Sequence, residues 1–337
     1  MLYGILVAAK SCDDAVHVTQ RAAMLAGGLK DATLDIFSVV TPAGTRRIVS
    51  WMRGSEHHAE RAEQERSMRR LSCQSAYLRE QYGIRCTIAS GVGALAAQVA
   101  ARVRTTAADM VVVGGRDLHC TGPLTGAGEA ARIARMSGRP VLLVRNEPRC
   151  AYARIAVPID FSDDALRVTD TVMRLLPEAH ITFLHSYRVA GQGAMLNAGV
   201  SDRTIDDFRL RAQRGAQAAF STFLERLARP LTKFSLVLTA QPEALATRTY
   251  LRTVKPDLIA LADGADPLLL GWLNDSTPWT VLNDTRCDVL LLAPASARCI
   301  RHASHAPSTG TAPARCEASG HAAVSCALRG PPRGRSE

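Results

Sequence analysis

The sequence lacks long apolar runs, paired cysteines and a basic leading segment. No stretch of about eighteen apolar residues occurs, which argues against a membrane-spanning helix. The chain enters a strand-like run directly after Met1, which argues against a secretory signal. The nine cysteines form no C-x-x-C pair, a pattern that favours structural thiols in a reducing cytoplasm. We expect four of them to be small buried side chains, namely Cys12, Cys73, Cys86 and Cys287.

Lysine is scarce, although the chain is basic. The formal net charge is +10, which could suit a nucleic-acid partner. Only four of the 41 basic residues are lysines, and many arginines lie beside acids, as in residues 60–66. Six arginines and two glutamates in residues 296–337 account for +4 of the charge. No arginine cluster with interleaved aromatic residues provides a stacking surface. The charge therefore favours solvated helix faces over nucleic-acid binding.

Familiar catalytic motifs are also missing. The sequence contains no G-x-S-x-G, H-E-x-x-H or G-K-[ST], which disfavours an enzyme. The acidic pairs Asp13-Asp14 and Asp163-Asp164 could suit Mg²⁺ in a response-regulator receiver. A receiver also needs an aspartate at the end of its third strand and a lysine after its fifth. Ala89-Ser90 and Arg145 stand there instead, so we exclude that class.

What the chain does contain is an internal repeat. Three segments return at a spacing of 148 to 150 positions: residues 4–7 as 154–157, 109–113 as 257–261, and 139–144 as 287–292. A period of this length corresponds to one ordinary domain, whereas solenoid repeats are much shorter. The sequence therefore predicts two similar domains in tandem, at residues 1–146 and 152–295. Residues 296–337 lack apolar periodicity and are expected to form a disordered tail.

Each copy alternates near-continuous apolar strands with helical patterns. This order predicts two tandem α/β domains, each a five-stranded, doubly wound, Rossmann-like parallel sheet. The second helix of each copy is expected to be long, at residues 46–82 and 202–228. Ser162 and Ser201 are predicted to cap the helices that follow them. The linker at residues 146–151 is short enough to hold the domains together.

Ligands of doubly wound sheets bind at the carboxyl ends of the strands, so these segments are the candidate sites. After strand one, the second copy offers Asp160, whereas Lys10 occupies that position in the first copy. After strand four, the first copy carries the glycines of a candidate phosphate loop, which could equally form a simple turn: Gly114, Gly115, Gly126 and Gly128. The corresponding loop of the second copy contains added carboxylates and ends near Ser276, so it is a poor anion site.

Several stretches of both copies resemble the universal stress protein family. They are Val157–Ser162, Gly91–Ala94, Gln241–Ala244, Asp109–Gly114 and Arg139–Val144. The resemblance covers residues 1–295 and implies an adenine nucleotide α-hydrolase-like fold. It also implies a dimer or a tandem pseudo-dimer that pairs through the fifth strands. One branch of the family binds ATP through an aspartate after strand one and a G-x2-G-x9-G-[ST] loop after strand four. Another branch lacks the loop and binds no ATP.

The match to the ATP-binding branch is partial in both copies. Asp160 fills the aspartate position, Gly114 fills the first glycine position, and Ser276 fills the final serine position. Gly126 or Gly128 matches a glycine of the motif only if the alignment is shifted by one or two residues. The resemblance therefore implies a bacterial, cytoplasmic, non-enzymatic stress-response protein. It would act through domain pairing and unidentified protein partners, with weak or absent adenine nucleotide binding and no metal. An ATP-binding sensor is the alternative, and a homodimer also remains open.

Overall fold

The computed structural model describes residues 3–9, 12–29, 31–40, 56–115, 125–189, 191–262 and 287–293. In the first half, the elements are β1 (Tyr3–Ala9), α1 (Cys12–Gly27), β2 (Ala32–Val40), α2 (Glu56–Tyr82), β3 (Arg85–Val92), α3 (Leu95–Thr106), β4 (Met110–Gly114), α4 (Thr125–Ser137) and β5 (Val141–Val144). In the second half, they are β6 (Arg154–Pro158), α5 (Asp163–Leu175), β7 (His180–Ser186), α6 (Gln192–Asn197), α7 (Asp202–Glu225), β8 (Phe234–Thr239), α8 (Glu243–Val254), β9 (Leu258–Ala262) and β10 (Asp288–Leu292). The start predicted for α2 and the predicted tail lie outside the described residues.

The strands form one continuous sheet in the order β3-β2-β1-β4-β5-β10-β9-β6-β7-β8. Neighbouring strands are parallel within each half. The halves meet where β5 pairs antiparallel with β10, and Leu142 lies opposite Leu290. The predicted α/β fold is confirmed, and the fifth strands pair as the family resemblance implied. Because the junction is antiparallel, the carboxyl ends of the strands lie on opposite edges of the sheet in the two halves.

Two hydrophobic cores cover the two faces of this sheet. Along β4, Met110 and Val112 belong to one core, while Val111 and Val113 belong to the other. This alternation follows from the two-residue period of a strand, and it explains why a strand buried on both faces is apolar throughout. Each core contains residues of both halves. The two domains are therefore joined by packing as well as by strand pairing.

Local capping chemistry determines where two helices of the second half begin. The Ser162 side chain accepts a hydrogen bond from the Ala165 N–H, and Ser201 accepts one from the Thr204 N–H. Both predicted caps are thus confirmed. Helix α7 ends at Glu225, three residues before the predicted end, because the Arg226 N–H turns back to the Phe223 carbonyl. No helix of the described segments is both long and apolar enough to cross a membrane.

The repeated aspartates before β4 and β9 have the same structural task. The Asp109 Oδ2 accepts the Gly4 N–H at 2.9 Å. In the second half, the Asp257 Oδ2 accepts the N–H groups of Ala153 and Arg154 at 3.0 and 2.9 Å. Each carboxylate therefore satisfies backbone donors at the start of the neighbouring first strand. This shared role explains in structural terms why an aspartate occurs at this position in both copies.

The cysteine prediction is correct only in part. Cys287 is buried, Cys86 is half-buried, and Cys73 is exposed. Cys73 lies on α2, whose inward positions are taken by Leu71 and Leu78. The prediction for Cys73 was wrong because the helix period turns this position away from the core.

Candidate nucleotide site at the strand ends

The reversal of strand order places one candidate site in each half. In the first half, β1 lies between β2 and β4, with Ala8 beside Val113. In the second half, β6 lies between β7 and β9, with Ala156 beside Ile259. Ligands of such sheets bind where the crossovers diverge to opposite faces, outside the carboxyl ends of these central strands. The predicted site residues must therefore be judged at these two edges.

Gly114 and Gly115 lie at the end of β4, where the sequence predicted a phosphate loop. Gly114 is paired with Val144 in the sheet, and the Gly115 N–H donates to the Val144 carbonyl at 2.6 Å. A Cβ on Gly115 would lie 2.7 Å from Arg145 Cγ and 3.1 Å from the Val144 oxygen. Close packing against β5 therefore explains why this position is a glycine, and its single N–H donor is already used.

Gly126 and Gly128 lie in the first turn of α4, which begins at Thr125. The prediction placed them in the loop before this helix, and it was wrong because the helix starts earlier. The intervening residues 116–124, together with Lys10 and Ser276, lie outside the described residues. In the same turn, the Glu129 Oε1 accepts the Ala96 N–H at 3.1 Å. Sequence reasoning missed this acid, which serves as a cap for α3.

Asp160 follows β6 at the carboxyl edge of the second half and is exposed. Its Oδ1 accepts the Ser162 N–H at 3.0 Å, so the carboxylate closes a turn onto the start of α5. Phe161, between them, has a positive φ of 64°. Such a backbone is costly for a residue with a bulky side chain and is held by its surroundings. The turn thus fixes Asp160 at the edge where the sequence expected a ligand.

The ring of Phe161 anchors this turn. Its centroid lies 4.3 Å from that of His185 and 5.9 Å from that of Phe223. The His185 Nδ1 in turn contacts the Ile159 carbonyl at 2.8 Å. His185 is therefore a structural histidine at the rim of the sheet.

The acidic pair beside this turn is occupied by arginines. Asp163 pairs with Arg226 at 2.5 Å, and Asp164 pairs with Arg167 at 2.6 Å. Both acids lie in the first turn of α5, where negative charge also complements the helix dipole. Among the residues that the structure describes, no group of three or more His, Cys, Asp or Glu side chains could hold a metal ion.

The most deeply buried acid lies elsewhere, at the junction of the two halves. Asp288 is 1% exposed and begins β10. Its Oδ1 accepts the N–H groups of Arg145 and Asn146 at 2.8 and 3.0 Å, while its Oδ2 accepts the Tyr152 hydroxyl at 2.5 Å. The Arg21 Nε lies 3.7 Å from the same Oδ2. We call these five residues the junction cluster.

The junction cluster ties α1, the linker and β10 together. Arg21 also donates to the Cys150 carbonyl at 2.7 Å, and its guanidinium lies 4.0 Å from the centre of the Tyr152 ring. Burial, followed by the nearby Asp288 charge, raises the pKa of Tyr152 well above its ordinary value. Sequence reasoning missed this cluster. The sequence contained one indication of it: Asp288 occupies the position at which the first copy of the internal repeat has Pro140.

The geometry defines a tandem α/β protein with ligand sites expected at its strand ends. The sequence model of the universal stress protein family matches residues 1–145 and again residues 151–293. The chain therefore belongs to the universal stress protein family, as a tandem two-domain member. No curated protein matches the chain.

Solved structures with a similar fold include other members of this family. A putative universal stress protein from Pseudomonas aeruginosa UCBPP-PA14 aligns with a TM-score of 0.57 and 14% identity, over 89% of this chain and 95% of that one. A functionally unknown protein from P. aeruginosa PAO1 gives 0.58 and 13%, over 88% and 94%. A universal stress protein from Archaeoglobus fulgidus DSM 4304 gives 0.56 and 12%, over 86% and 96%. At these identities the similarity concerns the fold.

Proposed function

We propose that the chain is a non-enzymatic, cytoplasmic stress-response protein that binds adenine nucleotides weakly or not at all. It acts through the pairing of its two domains and through contacts with partner proteins. The observation that carries the proposal is the hydrogen bond from the Gly115 N–H to the Val144 carbonyl. A backbone N–H offers one donor, so a phosphate bound by the N–H of Gly115 would have to break the bond between β4 and β5.

The junction supports the part of the proposal that concerns domain pairing. Each of the two cores includes residues of both halves. The buried Asp288 is satisfied only when α1, the linker and β10 are together. A buried carboxylate without these partners would be strongly destabilising. In this proposal, the functional form of the protein is therefore the one in which its two domains are paired.

A second candidate function is an ATP-binding sensor, and Asp160 favours it. Its carboxylate is exposed at the carboxyl edge, and a positive-φ residue follows it. Strained backbone clusters at ligand sites. In this alternative, Asp160 accepts ligand hydroxyl groups in the second half. In the first half, Gly114, Gly115, Gly126 and Gly128 approach the phosphates. Ser276 would complete the second site but lies outside the described residues.

Calorimetric titration of residues 1–295 with Mg-ATP separates the two functions. We expect no heat of binding and no nucleotide carried through purification, as mass analysis would show. Binding at micromolar affinity would instead favour the sensor. In that case, Asp160→Asn would remove binding at the second half, and Gly128→Glu would remove it at the first. Asp206→Asn, on the exposed face of α7, is the matched control.

The domain boundaries are part of the same proposal. We propose domains at residues 1–146 and 152–295, and a tail at residues 296–337. Limited proteolysis of the full chain should remove the tail first and leave a product that ends near residue 295. The linker should be cut late because Tyr152 is buried. Early cleavage at residues 146–151 would contradict the boundaries. Sedimentation of the full chain would show whether it also forms a homodimer.

A further inference from the structure

The second domain contains a cavity of about 200 Å³ between the ends of β7 and β8 and the helix α8. Asp160 does not line it, although His185, which packs on the turn that contains Asp160, does. Its lining combines the apolar side chains of Leu184, Val237 and Ala246 with six hydroxyl side chains, and Glu243 and His185 also border it. The cavity therefore has an apolar wall faced by hydrogen-bonding groups.

The internal repeat provides a direct comparison for this cavity. Helices α3 and α8 both have twelve residues, and each is followed by a left-handed residue, Ala107 with φ 52° and Lys255 with φ 51°. The same offset of 148 positions relates Asp109 to Asp257. Position by position, the helix residues that line the cavity thus have known counterparts in α3.

In the first domain, the corresponding space is filled. Phe37 and Gln98 lie against Gly91, so closely that a Cβ there would be 2.8 Å from the ring and 2.9 Å from the amide oxygen. Arg102 extends beside the same ring, 5.9 Å from its centre, and pairs with Asp35 at 2.7 Å. Large side chains from both the sheet and the helix occupy this region.

The second domain replaces these side chains with smaller or uncharged ones. The strand registers align Phe37 with Leu184, and the helix offset aligns Gln98 with Ala246 and Arg102 with Tyr250. Thr239 stands where the first domain has Gly91, so the second domain loses a ring and an amide side chain from this space but gains the side chains of Thr239 and Tyr250. The cavity of about 200 Å³ is what remains between them. The cavity is therefore produced by specific substitutions within a repeated framework.

Thr247 supplies the second observation. It is 1% exposed, and its Oγ1 has no hydrogen-bond partner among the described residues. Its counterpart in α3 is Val99, which is 0% exposed and has the same shape without a hydroxyl. An unsatisfied buried hydroxyl is destabilising. The second domain thus carries a polar atom at a core position where the first domain has a methyl group.

We propose that this cavity binds a small, neutral, single-ring molecule that hydrogen-bonds to the Thr247 Oγ1. A cavity of roughly 150 Å³ lined by apolar side chains binds benzene, so 200 Å³ suits a ring with one substituent. The apolar wall disfavours a charged ligand, and the hydroxyl selects a ligand with one hydrogen-bonding group.

The experiment is a calorimetric titration of the full chain with phenol and, separately, with toluene. Phenol and toluene have the same size and differ in one hydrogen-bonding group. We expect one phenol per chain, with Thr247→Val weakening phenol roughly three- to tenfold and leaving toluene unchanged. Leu184→Phe, which restores the residue of the first domain, should abolish the binding of both molecules.

The matched control is Val99→Thr, which places the hydroxyl in the filled first domain and should leave phenol binding unchanged. If Leu184→Phe does not fold, as judged by circular dichroism, Ala246→Gln fills the same space from the helix. The proposal is overturned if the wild-type chain gives no heat with millimolar phenol. It is also overturned if phenol binding survives both the filling variant and Thr247→Val.

Discussion

The hydroxyl of Tyr152 donates a 2.5 Å hydrogen bond to the Oδ2 of Asp288. Tyr152 directly follows the linker, whose Asn146 N–H donates to the Oδ1 of the same carboxylate, and Asp288 begins β10. These bonds connect the two segments that hold the domains together. Both side chains are buried. The linker is therefore an ordered part of the interface between the two halves.

Removing the Asp288 carboxylate should lower the free energy of unfolding by about 3 kcal/mol, because a buried positive charge and several donors lose their partner. The variant is Asp288→Ala, and the affected groups include Arg21 and the Arg145 N–H. Urea unfolding followed by circular dichroism measures the change. Asp206→Ala, in an exposed pair with Arg209, should change stability by less than about 0.5 kcal/mol. Equal effects of the two variants would contradict a special role for the junction cluster.

The buried Tyr152 should make the protein less stable in alkali. Its pKa is raised in the folded state, so above about pH 10 the native chain holds a proton that the unfolded chain has lost. Its contribution is fully present below pH 10 and is lost as the pH rises towards the folded pKa, by up to about 1.4 kcal/mol per pH unit. Urea unfolding at several pH values should give a flatter profile for Tyr152→Phe. Tyr77→Phe, at an exposed position, should keep the wild-type profile; parallel profiles for all three proteins would refute the assignment.

Truncation after residue 146 should produce a half that dimerises or aggregates. The cut removes β10 and leaves β5 as an open edge, with Val141, Leu142 and Leu143 otherwise at most 1% exposed. An unpaired apolar edge strand recruits another strand. Sedimentation at matched concentrations compares the half with the full chain. A monomeric, folded half would count against strand pairing as the main contact.

A methyl group at Gly115 should destabilise the protein by about 1–3 kcal/mol, because the added Cβ would press on the Val144 carbonyl within the sheet. Gly215 lies inside α7, where a Cβ would meet nothing within 4 Å. Gly215→Ala should therefore stabilise the protein by about 0.5–1 kcal/mol. Thermal unfolding of Gly115→Ala and Gly215→Ala tests the pair. A neutral Gly115→Ala would remove the packing explanation for this glycine and reopen the phosphate-loop interpretation.

The sequence alone determined the features that depend on neighbouring residues or on a regular period. Ser162 and Ser201 cap helices through contacts within three residues, so their roles could be predicted. The apolar strands and the repeat likewise predicted the parallel strand arrangement found within each half of the sheet. These features need no knowledge of distant partners, because local hydrogen bonding and strand periodicity act within one segment.

Only the tertiary structure decided which polar groups are available to a ligand. The sheet uses the single N–H donor of Gly115, whereas the local turn takes one hydrogen bond at the Oδ1 of Asp160 and leaves this carboxylate exposed. Asp288 is a junction residue because the fold brings α1 and the linker to it. The Thr247 Oγ1 has no hydrogen-bond partner within the described part of the chain. Hydrogen-bond satisfaction in a core depends on partners from distant segments, and a one-dimensional pattern does not contain that information.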